Sequence, residues 1–161
     1  MTDLIDVPSI TTTPAQFAAA IHVTIPRDSI QSVMGPGLGE IFGAVKAQGL
    51  CPAGPWFTHH LRMAPDLFDF EICIPVASAA KPLGRVVPRE IPPLTVAYTV
   101  FHGGYERLSE GWRAFDQWMA ANHHMPAPDL YEVYTLGPES SANPAEWRTE
   151  LRRPLQPAGR A

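Results

Sequence analysis

Glu150 stands in the run Trp147-Arg148-Thr149-Glu150-Leu151-Arg152, and large rings recur elsewhere at Trp56, Tyr98, Trp112, Tyr131 and Tyr134. Ring faces offer apolar area and attract cations through their quadrupole, while a carboxylate supplies a full opposite charge. Residues of these types, brought together, suit a small lipophilic or cationic compound. Glu150 also has plainer readings: a solvated strand residue, or half of an ion pair with Arg148 or Arg152, which flank it on its own face. Trp112 divides between core and ligand wall, and the hydroxyls of Tyr98 and Tyr134 either meet a ligand or simply reach water.

Other patterns suggest chemistry but lack a component of it. His59-His60 and His123-His124 raise the question of zinc. Adjacent strand residues point to opposite faces, so His59 and His60 cannot share one metal. No HExxH or CxxC spacing accompanies either pair, and no metal or other cofactor is expected. His123-His124 reads as a solvated helix end, where positive character suits the dipole. Cys51 precedes Pro52 and Cys73 lies mid-strand; a dyad with His59 or His60 would lack a third partner. Gly35-Pro36-Gly37-Leu38-Gly39 lacks the lysine and the strand-to-helix setting of a phosphate loop, and reads instead as a kink or division of a helix.

The elements that must position these residues come from 161 residues, of which 45% are hydrophobic and 17% charged. That length suits one domain, or two small halves sharing a core. The hydrophobic content excludes disorder, and no apolar run approaches the ~18 residues of a membrane span. Residues 1–10 show no basic start followed by an apolar stretch, so a secretory signal is not expected and a cytoplasmic location is. Twelve Lys and Arg against sixteen Asp and Glu leave a net charge of -4, with no cationic field for direct nucleic-acid binding. Two cysteines make no disulfide framework and are expected as reduced thiols. The 18 prolines are about twice the ~5% of typical usage and mark frequent chain reversals.

The pattern of elements occurs twice. Residues 17–25 read as a strand. A helix capped by Asp28 or Ser29 follows, with Ile30, Val33, Ile41, Phe42 and Val45 at helical spacing and Gly49 as its left-handed end. Strands at 56–62 and 67–75 close the half through Met63-Ala64-Pro65-Asp66. Residues 77–93, with Pro82, Pro88, Pro92 and Pro93, read as an extended crossing. The order then returns as a strand at 94–102 and a helix at 105–121, which carries Leu108, Trp112, Phe115, Trp118 and Met119 on one face. Asn122 takes the place of Gly49, and strands follow at 130–136 and 147–155, their loop carrying Gly137, Pro138 and Pro144. Phe42 and Val45 echo Phe115 and Trp118, and Glu71 and Glu150 each lie four residues before a proline. The expected fold is α+β, with duplicated strand-helix-strand-strand units forming one antiparallel-rich sheet, both helices on one face. Strand alternation turns Phe68, Phe70, Ile72, Ile74 and Leu151 toward the helices, and Glu71, Arg148, Glu150 and Arg152 away. The uncovered face at the pseudo-twofold axis is a natural groove, rimmed by Trp56, Tyr98, Tyr131 and Tyr134. The expected division is an N-terminal extension (1–16), one domain (17–155, halves 17–76 and 94–155 joined by 77–93) and a tail (156–161).

The ordered set His102-Gly103-Gly104-Tyr105, Leu108, Trp112, Phe115, Trp118, Tyr131-Glu132-Val133-Tyr134, Trp147-Arg148-Thr149-Glu150-Leu151 and Pro154 resembles the GyrI-like small-molecule-binding domain, the effector-binding module of AraC- and MerR-type multidrug regulators. The first half is similar through Ile25-Pro26-Arg27-Asp28, Met34-Gly35-Pro36, Gly49-Leu50 and Gly54-Pro55. The resemblance spans about residues 17–155. It implies a ligand groove between the halves, with Glu150 anchoring ligands from its floor and Trp56, Tyr98, Trp112, Tyr131, Tyr134 and Trp147 around it. It implies a stand-alone effector-binding protein for sequestration or sensing. The family's regulators carry a DNA-binding domain ahead of the module, and the sixteen residues before Phe17 cannot hold one, so a separate regulator chain or a homodimer is the expected protein partner. Two alternatives come with the resemblance. One is a hydrolase opening strained cyclopropanoid compounds, with Glu150 as general base and Tyr134 or Tyr98 stabilising the developing oxygen charge. The other is a modulator of DNA gyrase.

Overall fold

Runs of small and branched apolar residues broken by proline and glycine give short strands, and the two long apolar periodicities give the two helices. The computed structural model describes residues 4–26, 30–63, 66–137 and 141–156. The elements are β1 (Ser9–Thr13), β2 (Gln16–Pro26), α1 (Ile30–Ala47), β3 (Phe57–Met63), β4 (Leu67–Val76), β5 (Val87–Ile91), β6 (Leu94–His102), α2 (Leu108–Ala121), β7 (Leu130–Leu136) and β8 (Arg148–Pro154). A 3-10 turn at Tyr105–Arg107 leads into α2. The fold is α+β with antiparallel strands, as the sequence implies. The cap at Asp28 or Ser29, the turn residues Ala64 and Pro65, and Pro138 lie outside the described residues, as do the side chains of Ile30 and Val33.

The chain divides into two compact units, residues 14–94 and residues 1–13 with 95–161. In the first, the strand order is β3-β4-β2-β5. Phe70, Ile72 and Ile74 of β4 and Ile21 of β2 pack with Ile41, Ala44 and Val45 of α1. In the second, the order is β1-β6-β8-β7, and Ala97, Phe101 and Leu151 pack with Phe115 and Met119 of α2. The extended crossing contains β5, which pairs with β2. The N-terminal stretch contains β1 and a preceding segment tied to β6. There Asp6 N–H donates to the Val100 carbonyl at 3.0 Å, Thr99 Oγ1 donates to the Asp6 carbonyl at 2.7 Å, and His102 pairs with the Asp6 carboxylate at 2.7 Å.

The repeat is real, but its helical register differs by one from the sequence reading. Gly37, Ile41, Val45 and Gly49 correspond to Gly111, Phe115, Met119 and His123, each pair 74 residues apart. A Cβ on Gly37 would meet Ile72 Cδ1 at 2.7 Å and one on Gly111 would meet Phe101 Cδ1 at 2.5 Å, so both helices approach their strands at these glycines. Phe42, aligned with Phe115 by sequence, is instead 43% exposed, because Ile41 takes the inward position. Gly49 (φ 71°) and His123 (φ 62°), not Asn122 (φ -103°), are the left-handed C-terminal residues. Both close the same way, with Leu50 N–H donating to the Val45 carbonyl and His124 N–H to the Met119 carbonyl. Helix α1 runs undivided through Pro36, so the glycine-proline run gives close packing rather than a break.

Candidate functional site

Strand β7 is an apolar run, LYEVYTL, carrying one charge, Glu132. Its register with β8 sets Glu132 opposite Leu151. Leu151 lies in the core against α2, so Glu132 shares the helix-covered side while Tyr131 and Val133 take the other. Glu132 is 8% exposed. Trp112 Nε1 donates to its Oε2 at 2.6 Å and the Tyr134 hydroxyl donates to its Oε1 at 2.6 Å. The indole N–H and the phenol are both neutral donors. Burying a carboxylate costs several kcal/mol without compensation, and a hydrogen bond to a charged group returns roughly 1.5–3 kcal/mol.

Each partner is positioned locally. Trp112 follows Gly111, whose missing side chain lets α2 settle on Phe101, and its ring lies 5.7 Å from that of Phe115. Tyr134 is two residues beyond Glu132 on the same side of β7. Gly103, at φ 115°, turns the chain out of β6 into the short turn carrying Tyr105. The Tyr105 ring stands edge-on to Tyr134 at 5.9 Å and lies 5.1 Å from Trp147. Trp147 is held by its Nε1, which donates to the Ser141 carbonyl at 2.8 Å, and by the Gly103 N–H, which donates to the Trp147 carbonyl at 3.1 Å. The result is a buried carboxylate held by Trp112 and Tyr134, with the Tyr105 and Trp147 rings following Tyr134 in sequence of contact, all within one unit.

Glu150 lies on the other side of the same sheet. Its carboxylate Oε1 accepts from Arg152 Nη2 and Nε at 2.5 and 3.1 Å. Arg148 turns away to the Ala145 and Trp147 carbonyls. Tyr98 and Tyr131 stand opposite Arg152 in the two adjacent registers, with the guanidinium 6.0 Å from the centre of the Tyr98 ring. Burial first, then the charge of Glu150, pushes the Tyr98 phenol above its usual range. Glu71, also turned from α1, is buried and paired with Arg89 at 2.6 Å.

The residues singled out by sequence therefore fall into groups. Trp112, Tyr134 and Trp147 gather at Glu132; Tyr98 and Tyr131 gather at Glu150 and Arg152; Trp56 packs on the core of residues 14–94. Glu132 and Tyr105 stand out in the sequence only as members of the runs Tyr131-Glu132-Val133-Tyr134 and His102-Gly103-Gly104-Tyr105. The available signal was a lone carboxylate inside an apolar strand with a tyrosine two residues on. His59 faces Glu71 in the register and His60 faces Phe70, and His60 stacks on Phe70 at 5.2 Å. Among the described residues, no three His, Cys, Asp or Glu gather as a metal site would require.

A family model for the GyrI-like small molecule binding domain matches residues 7–156. No curated protein matches the chain significantly. Among solved structures, the crystal structure of the EcmrR C-terminal domain superposes with a TM-score of 0.83 at 22% identity, covering 93% of this chain and 97% of that one. The cryo-EM EcmrR–DNA complex matches equally, at 23% identity and 95% of this chain, which spans only 58% of that longer protein. SAV2435 bound to tetraphenylphosphonium gives 0.66 at 10% identity, with 94% of each chain covered. At these identities the likenesses bear on the fold alone. No helix among the described residues is long and apolar enough to cross a membrane.

Proposed function

The chain belongs to the GyrI-like small-molecule-binding domain family, and from that premise we propose that it binds a small lipophilic cation, with Glu132 as its charge partner and Trp112, Tyr134, Tyr105 and Trp147 as its walls. One observation carries this reading: a carboxylate 8% exposed is retained on the apolar side of a sheet and oriented by an indole N–H and a phenol. A buried acid of that kind costs stability that an apolar residue would not, and ligand recognition is a reason to keep it. The bound tetraphenylphosphonium of SAV2435 supports the choice of ligand class. Glu150 is the weaker candidate, because Arg152 already meets its charge. Binding would serve sequestration or sensing, the latter together with a DNA-binding partner chain.

Titration calorimetry with tetraphenylphosphonium and with neutral triphenylphosphine oxide tests the assignment. Glu132→Gln weakens the cation about tenfold to a hundredfold, the scale of one charge-assisted contact, and leaves the neutral compound nearly unchanged. Equal losses for both compounds, or a larger cation loss in Glu150→Gln, would overturn it.

The contact between Tyr134 and Glu132 also favours a second reading, hydrolysis of strained electrophilic rings. Glu132 would activate water and Tyr134 would hydrogen-bond the developing oxyanion. Multiple turnovers of a cyclopropanoid compound, lost in both Glu132→Gln and Tyr134→Phe, would establish it; consumption that stops at one equivalent would reject it.

A further inference from the structure

Among the described residues, strand β1 has one strand neighbour, β6, and leaves its other side as an edge. Unpaired edges carry main-chain donors and acceptors, and proteins commonly blunt them with proline or charge. Strand β5, which likewise has one neighbour, follows that rule: its sequence is VPREI, with Pro88, Arg89 and Glu90. Strand β1 does not. It reads SITTT, without charge or proline, it is β-branched at four of five positions, and its first four residues are exposed. Two exposed apolar side chains accompany it, Val7 at 88% and Ile10 at 41%. The chain carries a net charge of -4, so two copies repel overall, and this edge is a neutral place for them to meet.

We propose that β1 is a self-pairing edge, joining two copies of this chain antiparallel about a two-fold axis at Thr11. An antiparallel pairing of identical strands places Thr11 against its own copy and Ile10 against Thr12. These are β-branched pairs that favour sheet contact, and the symmetric arrangement closes at two chains. Five residues a side fall short of the ~1,200 Å² of a standard interface. The dimer therefore forms only in the micromolar-to-millimolar range. The inference is independent of the ligand assigned to Glu132.

Sedimentation velocity of the full chain over that range tests it. The wild-type protein shifts from one chain toward two. Thr11→Lys, which sets like charges face to face, and Thr11→Pro, which removes a main-chain donor, each weaken association at least about tenfold. Leu83→Lys, at an exposed position of the other unit, leaves it unchanged. Unaltered melting curves confirm that the exposed Thr11 substitutions fold. A single-chain mass at every concentration would overturn the proposal, as would a dimer that survives both Thr11 substitutions or growth beyond two chains.

Discussion

Glu132 is the residue whose environment the rest of the site serves. An indole N–H can only donate, so Trp112 commits Oε2 as an acceptor, and Tyr134 takes Oε1. Trp112→Phe keeps a ring beside Phe115 while deleting that donor. It should lower folding stability by about 1–3 kcal/mol, the cost of leaving a buried acceptor short of a partner, as measured by urea unfolding. Tyr134→Phe should behave alike, and because both act on one carboxylate the double variant should depart from additivity. By sequence, the carboxylate expected beside rings is Glu150 in β8, where two arginines flank it. The one on β7 was legible in kind but not in place, because which side of a strand a helix covers depends on its neighbours.

The two helices share a glycine at the point of closest approach to a strand, and that element-level device sets Trp112 over the sheet. Alanine normally stabilises a helix interior over glycine by about 1 kcal/mol. At Gly111 a Cβ would sit 2.5 Å from the fully buried Phe101 ring, which cannot yield, and overpacking of this kind costs about 1–3 kcal/mol. Gly111→Ala should therefore destabilise the protein and disturb Trp112. Gly43→Ala, where nothing lies within 4 Å, should raise stability by up to about 1 kcal/mol; thermal melts of the pair separate packing from propensity. Strands β2, β3, β4, β6, β7 and β8 and both helices were readable from periodicity to within about three residues, the largest difference being the start of α2, where Tyr105–Arg107 form a 3-10 turn. Strands β1 and β5 were not read as strands. Each is five residues long and flanked by proline, so only pairing with a neighbour makes them regular.

At the scale of the whole molecule, each unit has its own apolar core, and Cys73 is a natural reporter of the one in residues 14–94. It is buried, whereas Cys51 is exposed. Burial first, then the charge of Glu71, pushes the Cys73 thiol well above its ordinary range. At mildly alkaline pH a thiol reagent should label one cysteine at once and the second only as that unit opens. The sign of the pH effect follows. A group whose folded pKa is raised contributes stability that is complete below its unfolded pKa and is lost as pH rises, because the unfolded thiol ionises first. Urea midpoints should fall above about pH 9, the ordinary thiol range, and Cys73→Ala should remove part of that fall. The raised Tyr98 phenol adds a loss of the same sign at higher pH.

Composition, periodicity and the order of turn residues were enough to establish an α+β chain built from a repeated strand-helix-strand-strand unit, because those signals are local and each residue carries them alone. Which acid is buried, which arginine meets Glu150, and which residue turns left-handed at the end of α2 were decided only in three dimensions. A shift of one residue in strand or helix register exchanges inside for outside, and that register is set by contacts between residues far apart in the chain: Gly111 on Phe101, Glu132 beside Leu151, and Trp112 reaching from α2 to β7.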